Sequence, residues 1–531
     1  MRTTRPLTLA AIGAALLLWS LPPALAEDRD DAQFGTVHFA TSCNEVAQRR
    51  FDRAMRYEHS FWYRESKEIF EQVLAADPDC AIAYWGIAFS LLLNPHAPTP
   101  APNLAPGLAA LEKARSLGAK SQRERDYIDA LFVLYADYDK TTYGQRAQKY
   151  LAAMEALAHR YPDDDEAQIA YELALSITVP PHDKTYAHQL AGAAILEPIF
   201  RRQPRHPGVA HYLIHLYDYP HIAEKGLDAA RRYAAIAPAA PHAQHMPSHI
   251  FTRLGYWQES ISSNIASSRS AKASKEWQDL LHAQDYLVYA YLQGAQDEQA
   301  RAVLDDMLAD KSYNPNVRTG PYSIAESEAR YMIERGDWTG AARLDVRPSK
   351  FAYVDAVTYF SRALGRAHTG DLDGARADLA QLAALREKLR ADKDAYWTEQ
   401  ADIQWQAASA ALLDAEGQHA QALAAMSKAA DAEDETEKSI VTPGSVAPVR
   451  ELYAAMLLER GHAADALAQF EAALSVQPNR FNAIAGAAAS ARRAGDHAKA
   501  REYSEKLLAL VGNGGATRPA VAAAHQSLAD R

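Results

Sequence analysis

Small, mostly apolar residues recur at fixed distances around six glycines of the chain. Each glycine has a small residue seven positions before it and another five positions after it. The six are Gly255, Gly336, Gly370, Gly417, Gly461 and Gly495. Glycine ends a helix well because it adopts the left-handed cap conformation, and small residues let two antiparallel helices cross closely. The pattern therefore predicts repeated helix-turn-helix units.

The length of the unit is set by two glycine pairs, Gly336 with Gly370 and Gly461 with Gly495, each 34 residues apart. The best copy runs over residues 447–480, and its Pro478 is placed to stop the second helix. These positions resemble the tetratricopeptide repeat family, whose unit is a helix pair of this length. The resemblance covers nearly all of residues 43–510. It implies an all-α fold: a right-handed superhelical solenoid of stacked antiparallel helix pairs, with a concave binding face.

The start of the chain has the pattern of a secretory signal. Arg2 and Arg5 precede an apolar run over residues 7–21, and small residues at 24 and 26 provide a cleavage site. We therefore expect a signal peptide at 1–26, an N-terminal solenoid with a His-rich groove at 27–320, and C-terminal repeats at 321–531. The expected location is the periplasm or the exterior, with no membrane insertion after the signal is removed.

Cysteine usage and charge narrow the function classes. Cys43 and Cys80 are the two cysteines of the chain, and an even pair in an oxidising compartment usually bridges. A disulfide closing this loop contributes about 4 kcal/mol in the chain-entropy model. The net charge is −11 without a basic stripe, which argues against a nucleic-acid partner. The HExxH and GxSxG motifs and the phosphate-binding glycine loop are absent from the sequence.

Histidines are concentrated in the middle of the chain, with seven of the 19 between positions 206 and 249. Three successive predicted helices each carry ligand-type side chains three or four residues apart, which places them on one helical face. The side chains are His211 and His215 on the first helix, His242, His245 and His249 on the second, and His282 and Asp285 on the third. In the resembling family these positions of the first helix of each unit line the concave groove.

The chemistry that this arrangement indicates is metal binding. Imidazole is the commonest protein ligand for transition metals such as zinc, copper and iron. The seven side chains of the three helices are the predicted ligands, and they exceed one tetrahedral site, so two ions fit. We expect the imidazoles of His211, His245, His249 and His282 to converge. Asp218 and Asp279 are placed to accept hydrogen bonds from ligating imidazoles.

A second interpretation stays open from the sequence alone. The histidines also suit a metal-free groove that binds a peptide or protein partner and assembles an envelope complex. Whether the protein is an enzyme acting on a small molecule is left undecided. The segments HYLIH at 211–215 and HMPSHIF at 245–251 resemble a group of exported bacterial repeat proteins, which implies a shared role for these histidines. His59 falls on a groove position, whereas His206 and His221 flank prolines and are expected at the surface. Three stretches are expected to be flexible: 94–106, 431–445 and 512–519.

Overall fold

The computed structural model describes residues 33–529, apart from residues 96, 181, 513 and 516. The predicted signal peptide at 1–26 lies outside the described residues. In the first part of the chain the helices are α1 (Glu45–His59), α2 (Tyr63–Ala76), α3 (Ile82–Ser90), α4 (Ala101–Leu117), α5 (Gln122–Tyr135), α6 (Tyr143–Arg160), α7 (Asp165–Ser176), α8 (Ala187–Arg202), α9 (Pro207–Tyr217), α10 (Leu227–Ile236), α11 (Pro241–His245), α12 (Pro247–Arg253) and α13 (Trp257–Ser274).

The remaining helices follow the same alternation of helix and short turn. They are α14 (Trp277–Gln293), α15 (Asp297–Ala309), α16 (Thr319–Ile333), α17 (Trp338–Ala342), α18 (Ala352–Thr369), α19 (Leu372–Ala391), α20 (Ala395–Ala415), α21 (His419–Asp434), α22 (Val449–Glu459), α23 (Ala463–Val476), α24 (Phe481–Ala494), α25 (His497–Val511) and α26 (Pro519–Ala529). A 3-10 helix, Ala223–Gly226, precedes α10. The described part of the chain contains no strand, so the all-α class is confirmed.

The six turn glycines occupy the backbone conformation that the repeat pattern requires. Each has a positive φ, between 66° at Gly255 and 88° at Gly461. A side chain is strained in this region, whereas glycine is not. Eleven of the twelve small residues around them are buried, among them Ser248, Ala363 and Ala454. The predicted helix-turn-helix units are therefore present.

Consecutive helices pack against one another along the whole stack, which makes the fold a tetratricopeptide-like solenoid of helix pairs. One apolar core covers the first part of the stack, from Phe34 to Phe251, and a second covers residues 322–456. Among the described residues, no helix is both long and apolar enough to cross a membrane. Cys43 and Cys80 are bonded to each other, as predicted, and the bond ties the start of α1 to the turn before α3.

The C-terminal repeats fold back against the central ones. The Trp257 indole N–H donates to the carbonyl oxygen of Asn479 at 2.7 Å. Between α21 and α22, residues 436–445 form a loop, here called the inner loop, that packs against the central repeats. The hydroxyl of Tyr286 donates to the carbonyl of Thr442 at 3.2 Å, and Arg330 donates to the carbonyl of Gly444 at 2.9 Å. The segment 431–445, which the sequence predicts to be flexible, thus makes hydrogen bonds to the central repeats.

Candidate metal centre

Four short stretches of helix bring six histidines together. His211 and His215 lie on α9, and His282 lies on α14. The stretch from His242 to His249 is divided between α11 and α12 because Pro247 has no N–H to continue the helix. The sequence predicts one continuous stripe here, but the structure distributes its histidines between two groups.

The first histidine triad consists of His211, His215 and His242, whose ligand atoms lie within 4.8 Å of one another. The Nε2 atom of His211 is 3.0 Å from Nε2 of His242 and 3.1 Å from Nε2 of His215. Three imidazole nitrogens thus lie close together around one small space. Since a metal–nitrogen bond is about 2 Å long, one ion fits between them after a small adjustment.

The second histidine triad consists of His245, His249 and His282, with ligand atoms within the same 4.8 Å limit. The Nε2 atoms of His245 and His249 are 3.0 Å apart. The rings of His245 and His282 lie 4.4 Å apart between centroids. The predicted four-histidine group is therefore replaced by two triads, because His211 lies with His215 and His242.

The hydrogen positions on two imidazoles follow from their outer partners. Nδ1 of His211 is 2.9 Å from the carbonyl oxygen of His59, which only accepts. Nδ1 of His249 is 2.8 Å from the carboxylate of Asp218, which also accepts. Both Nδ1 atoms therefore carry the hydrogen, and in the neutral form of each ring the Nε2 atom presents a lone pair to the centre.

The same argument fixes His245. Its Nδ1 is 2.6 Å from Oδ1 of Asn264, and the orientation of that amide is set because its Nδ2 donates to the carbonyl of Ser260 at 2.8 Å. Nδ1 of His245 is thus the donor, and Nε2 bears a lone pair. Two lone pairs, on His245 and His249, then face each other with no hydrogen between them. A bound cation converts this repulsive contact into two ligand bonds.

Burial keeps these imidazoles neutral. Burial, followed by the neighbouring His249 and His242, lowers the pKa of His245 well below its usual value. Burial, followed by His245 and His249, does the same to the pKa of His282. The pKa of His249 is also lowered by burial, although Asp218 opposes the change. Neutral imidazole is the form that binds metal, so the second triad is ready to bind without releasing protons from its rings.

Asp218 anchors the second triad from behind. Its carboxylate accepts from Nδ1 of His249, from Nε of Arg253 at 2.9 Å and from Nζ of Lys438 at 2.8 Å. The backbone carbonyl of Asp218 also accepts from Arg253. Burial disfavours the charged carboxylate, but Lys438, Arg253 and His249 together hold the pKa of Asp218 well below its usual range. The ligand His249 is thereby fixed in both position and tautomer.

Two aromatic rings wall the centre. Phe61 stands 4.9 Å from His242 and 4.3 Å from His211 between ring centroids. Its φ is 60°, a strained conformation for a bulky residue that is concentrated at functional sites. Tyr286 packs at 4.7 Å against His245.

His282 has a buried Nδ1 with no hydrogen-bond partner, a polar atom that a bound group would satisfy.

A third cluster, which we call the carboxylate cluster, contains His59, Glu166 and His206. His206 belongs to this cluster and is only 1% exposed, so the expectation that it lies at the surface is wrong. Its Nδ1 accepts from the Val209 N–H, and its Nε2 donates to Glu166 at 2.8 Å. His59 contacts the other Glu166 oxygen at 3.2 Å and the Tyr212 hydroxyl at 2.9 Å.

The hydrogen bonds of the carboxylate cluster are complete without a cation. Each imidazole has one donor and one acceptor contact, and burial is outweighed by His59 and His206, which hold the pKa of Glu166 well below its usual range. The cluster instead positions the carbonyl of His59 beneath His211. It supports the first triad without adding a ligand to it.

The two other predicted acidic residues lie apart from these ligand groups. Asp285 is fully buried and accepts from Ser327 at 2.9 Å and from Arg330 at 2.8 Å, so its carboxylate is used in an ion pair. Asp279 is half-buried near Tyr63, and burial followed by the charge of Glu276 raises the pKa of Asp279 to about 7. The structure shows neither of them in contact with a triad imidazole, whereas it places Asp218 on His249.

Several partners of the centre are not visible in the sequence pattern. Lys438 is 220 positions from Asp218, and Asn264 lies on α13, outside the His-bearing stripes. Glu166 does not belong to any motif that the sequence analysis identifies. The one signal that pointed towards the carboxylate cluster was the groove position of His59.

Comparisons with known proteins add little to this description. No protein-family model matches the chain, and no curated protein matches it. Among solved structures it is similar to the human IFIT1 dimer with PPP-AAAA at 12% identity, covering 92% of this chain and 100% of that chain, with a TM-score of 0.39. The human IFIT1 dimer with m7Gppp-AAAA is similar at 11% identity, with coverage of 92% and 100% and a TM-score of 0.36. At such TM-scores these likenesses carry no argument about the site.

Proposed function

We propose that this protein is an exported metalloprotein that binds a transition metal through the histidines of its central repeats and presents it to a ligand in the groove. The observation that carries the proposal is the pair of Nε2 atoms of His245 and His249, which are 3.0 Å apart with the hydrogens on the opposite nitrogens. Such a contact is unfavourable without a cation. Zinc, copper and iron all accept imidazole ligands.

The periplasm or the exterior is the proposed location. The apolar run at 7–21 with its small-residue cleavage site supports export. The bond between Cys43 and Cys80 fits an oxidising compartment. The acidic charge of −11 supports a partner other than nucleic acid.

The alternative, a metal-free groove for a peptide or protein, is less well supported at this position. The inner loop already contacts residues beside the second triad, through Lys438 on Asp218 and through Thr442 on Tyr286. A peptide would have to displace these buried contacts. A protein partner is therefore proposed only for surfaces away from the histidines.

Metal uptake by the double variant His245→Ala/His249→Ala tests the proposal. We expect the wild-type protein to retain near-stoichiometric metal after dialysis against zinc or copper, and the variant to lose the ion of the second triad. Elemental analysis measures the retained metal, and far-UV circular dichroism checks that the helices persist.

A matched control replaces two exposed helical histidines, His159→Ala/His525→Ala, and should retain metal like the wild type. If the double variant does not fold, His282→Gln serves instead, because His282 is partly exposed. Equal metal retention in the wild type and in the folded variant would contradict the proposal.

A further inference from the structure

The two triads are neighbours. The rings of His215 and His249, from opposite triads, are 6.2 Å apart between centroids, and so are those of His242 and His245. Within each triad, the Nε2 contacts are 3.0 to 3.1 Å. One ion, about 2 Å from each ligand, cannot reach all six rings, but two adjacent ions can. Paired ions of this kind act together on one bound group.

We propose that the six histidines hold a pair of copper ions, three imidazoles to each ion, and that the reduced pair binds dioxygen between them. This inference rests on the proposed metal-binding function and names its metal and its ligand. It is carried by the donor set, the local charges and the enclosure of the site.

The donor set favours copper. Both triads consist of imidazoles, and no carboxylate or sulfur atom belongs to either group. The carboxylate beside them, that of Asp218, is engaged on the outer nitrogen of His249 and by Lys438 and Arg253. Iron and manganese pairs depend on carboxylate oxygens, whereas imidazole suits copper, the divalent ion with the highest affinity in its series.

Charge favours the reduced form of copper. Two divalent ions side by side repel each other about four times as strongly as two monovalent ions at the same distance. No anionic ligand offsets this repulsion in the triads, and the Asp218 carboxylate behind His249 is already paired with Lys438 and Arg253. Copper reaches the monovalent state, whereas zinc has no redox chemistry. A pair of copper(I) ions is thus the lowest-charge occupant of this ligand set.

The enclosure favours a small ligand that becomes an anion on binding. Phe61 lies against the first triad and Tyr286 against the second, so little room is left around the ions. Three imidazoles leave an open position on each ion. Each copper(I) gives one electron to dioxygen, which yields two copper(II) ions and one bridging peroxide dianion. The oxygen–oxygen double bond becomes a single bond, copper–oxygen bonds form, and no proton is exchanged.

The test loads the full-length mature protein anaerobically with copper(I), removes the excess and then admits dioxygen. We expect two copper ions per chain, uptake of one dioxygen molecule per pair, and almost no electron paramagnetic resonance signal, since the bridge couples the two copper(II) spins. The variant His282→Gln should retain one copper per chain and show a normal copper(II) signal. The control His159→Gln should behave like the wild type.

The possible failures are distinguishable. Two independent copper(II) signals, or no dioxygen uptake by a protein that holds two coppers, would overturn the inference and leave the metal site standing. One ion per chain, or retention of zinc in preference to copper, would do the same. If neither copper nor zinc is retained, the proposed function itself fails.

Discussion

At the scale of single residues, the chemistry of the centre depends on which nitrogen of each imidazole carries its hydrogen. The carbonyl of His59, the amide of Asn264 and the carboxylate of Asp218 each fix one ring with Nδ1 as the donor. The sequence predicts Asp218 for this role from its position in the repeat. It does not predict the carbonyl or the amide, because a backbone oxygen has no sequence signature and Asn264 comes from another helix.

Removing the charge behind His249 should weaken metal binding. In Asp218→Asn, the amide holds Nδ1 of His249 less strongly and removes a counter-charge of the buried Lys438 and Arg253. We expect the metal affinity, measured by competition with a chelator, to fall about 10- to 100-fold.

The control for Asp218 is Asp297→Asn, which breaks a partly buried pair with Arg518 away from the histidines. That variant should lose stability but keep its metal affinity. Equal weakening of metal binding by both substitutions would show that Asp218 acts only through general stability.

A second residue-scale prediction concerns Glu172, which is fully buried on α7. Burial raises its pKa to about 8, although the Ser176 hydroxyl donates to it at 2.6 Å and opposes the change. The folded protein therefore holds a proton here that the unfolded chain releases above its ordinary pKa of 4.5. The contribution of Glu172 to the free energy of unfolding is fully present below about pH 4.5. It falls as the pH rises towards 8, by up to about 1.4 kcal/mol per pH unit.

The variant Glu172→Gln should remove this slope. Urea unfolding between pH 5 and about pH 8 measures it, as the difference between the wild type and the variant. Glu112→Gln, at an exposed position of α4, is the matched control and should preserve the wild-type slope. Parallel curves for the wild type and Glu172→Gln would contradict the assignment.

At the scale of the elements, the site depends on the close approach of α9 to the end of α1. A Cβ atom added at Gly208 would lie 2.5 Å from Nδ1 of His59, which is buried and bonded to Tyr212 and Glu166. The glycine therefore lets α9 carry His211 up to the carbonyl of His59. The sequence predicts α9 and its two histidines, but not this contact, because the partner helix lies about 150 residues earlier.

Gly208→Ala should accordingly disturb both stability and the first triad. We expect a loss of about 1–3 kcal/mol in the free energy of unfolding from overpacking, together with weaker metal binding. Gly144→Ala on α6 is the control, since a Cβ there meets nothing within 4 Å. Unchanged stability and metal affinity in Gly208→Ala would show that His59 moves aside without consequence for His211.

At the scale of the whole molecule, the repeated units can be predicted from the sequence. The packing of the C-terminal repeats against the central ones cannot. The turn glycines and the small residues around them recur locally, so the sequence predicts the stacked helix pairs. The inner loop is different, since its charges and its Gly and Pro residues are typical of a solvated segment. Its partners, such as Asp218 for Lys438 and Lys184 for Glu437, lie more than 200 residues away.

Anomalous X-ray diffraction from crystals soaked with copper or zinc tests the central claim most directly, because it locates the ion. The account predicts anomalous peaks among the Nε2 atoms of His211, His215 and His242, and beside those of His245 and His249. It predicts no peak in the carboxylate cluster, whose hydrogen bonds are complete. Peaks only in that cluster or on exposed side chains, with both triads empty, would contradict it.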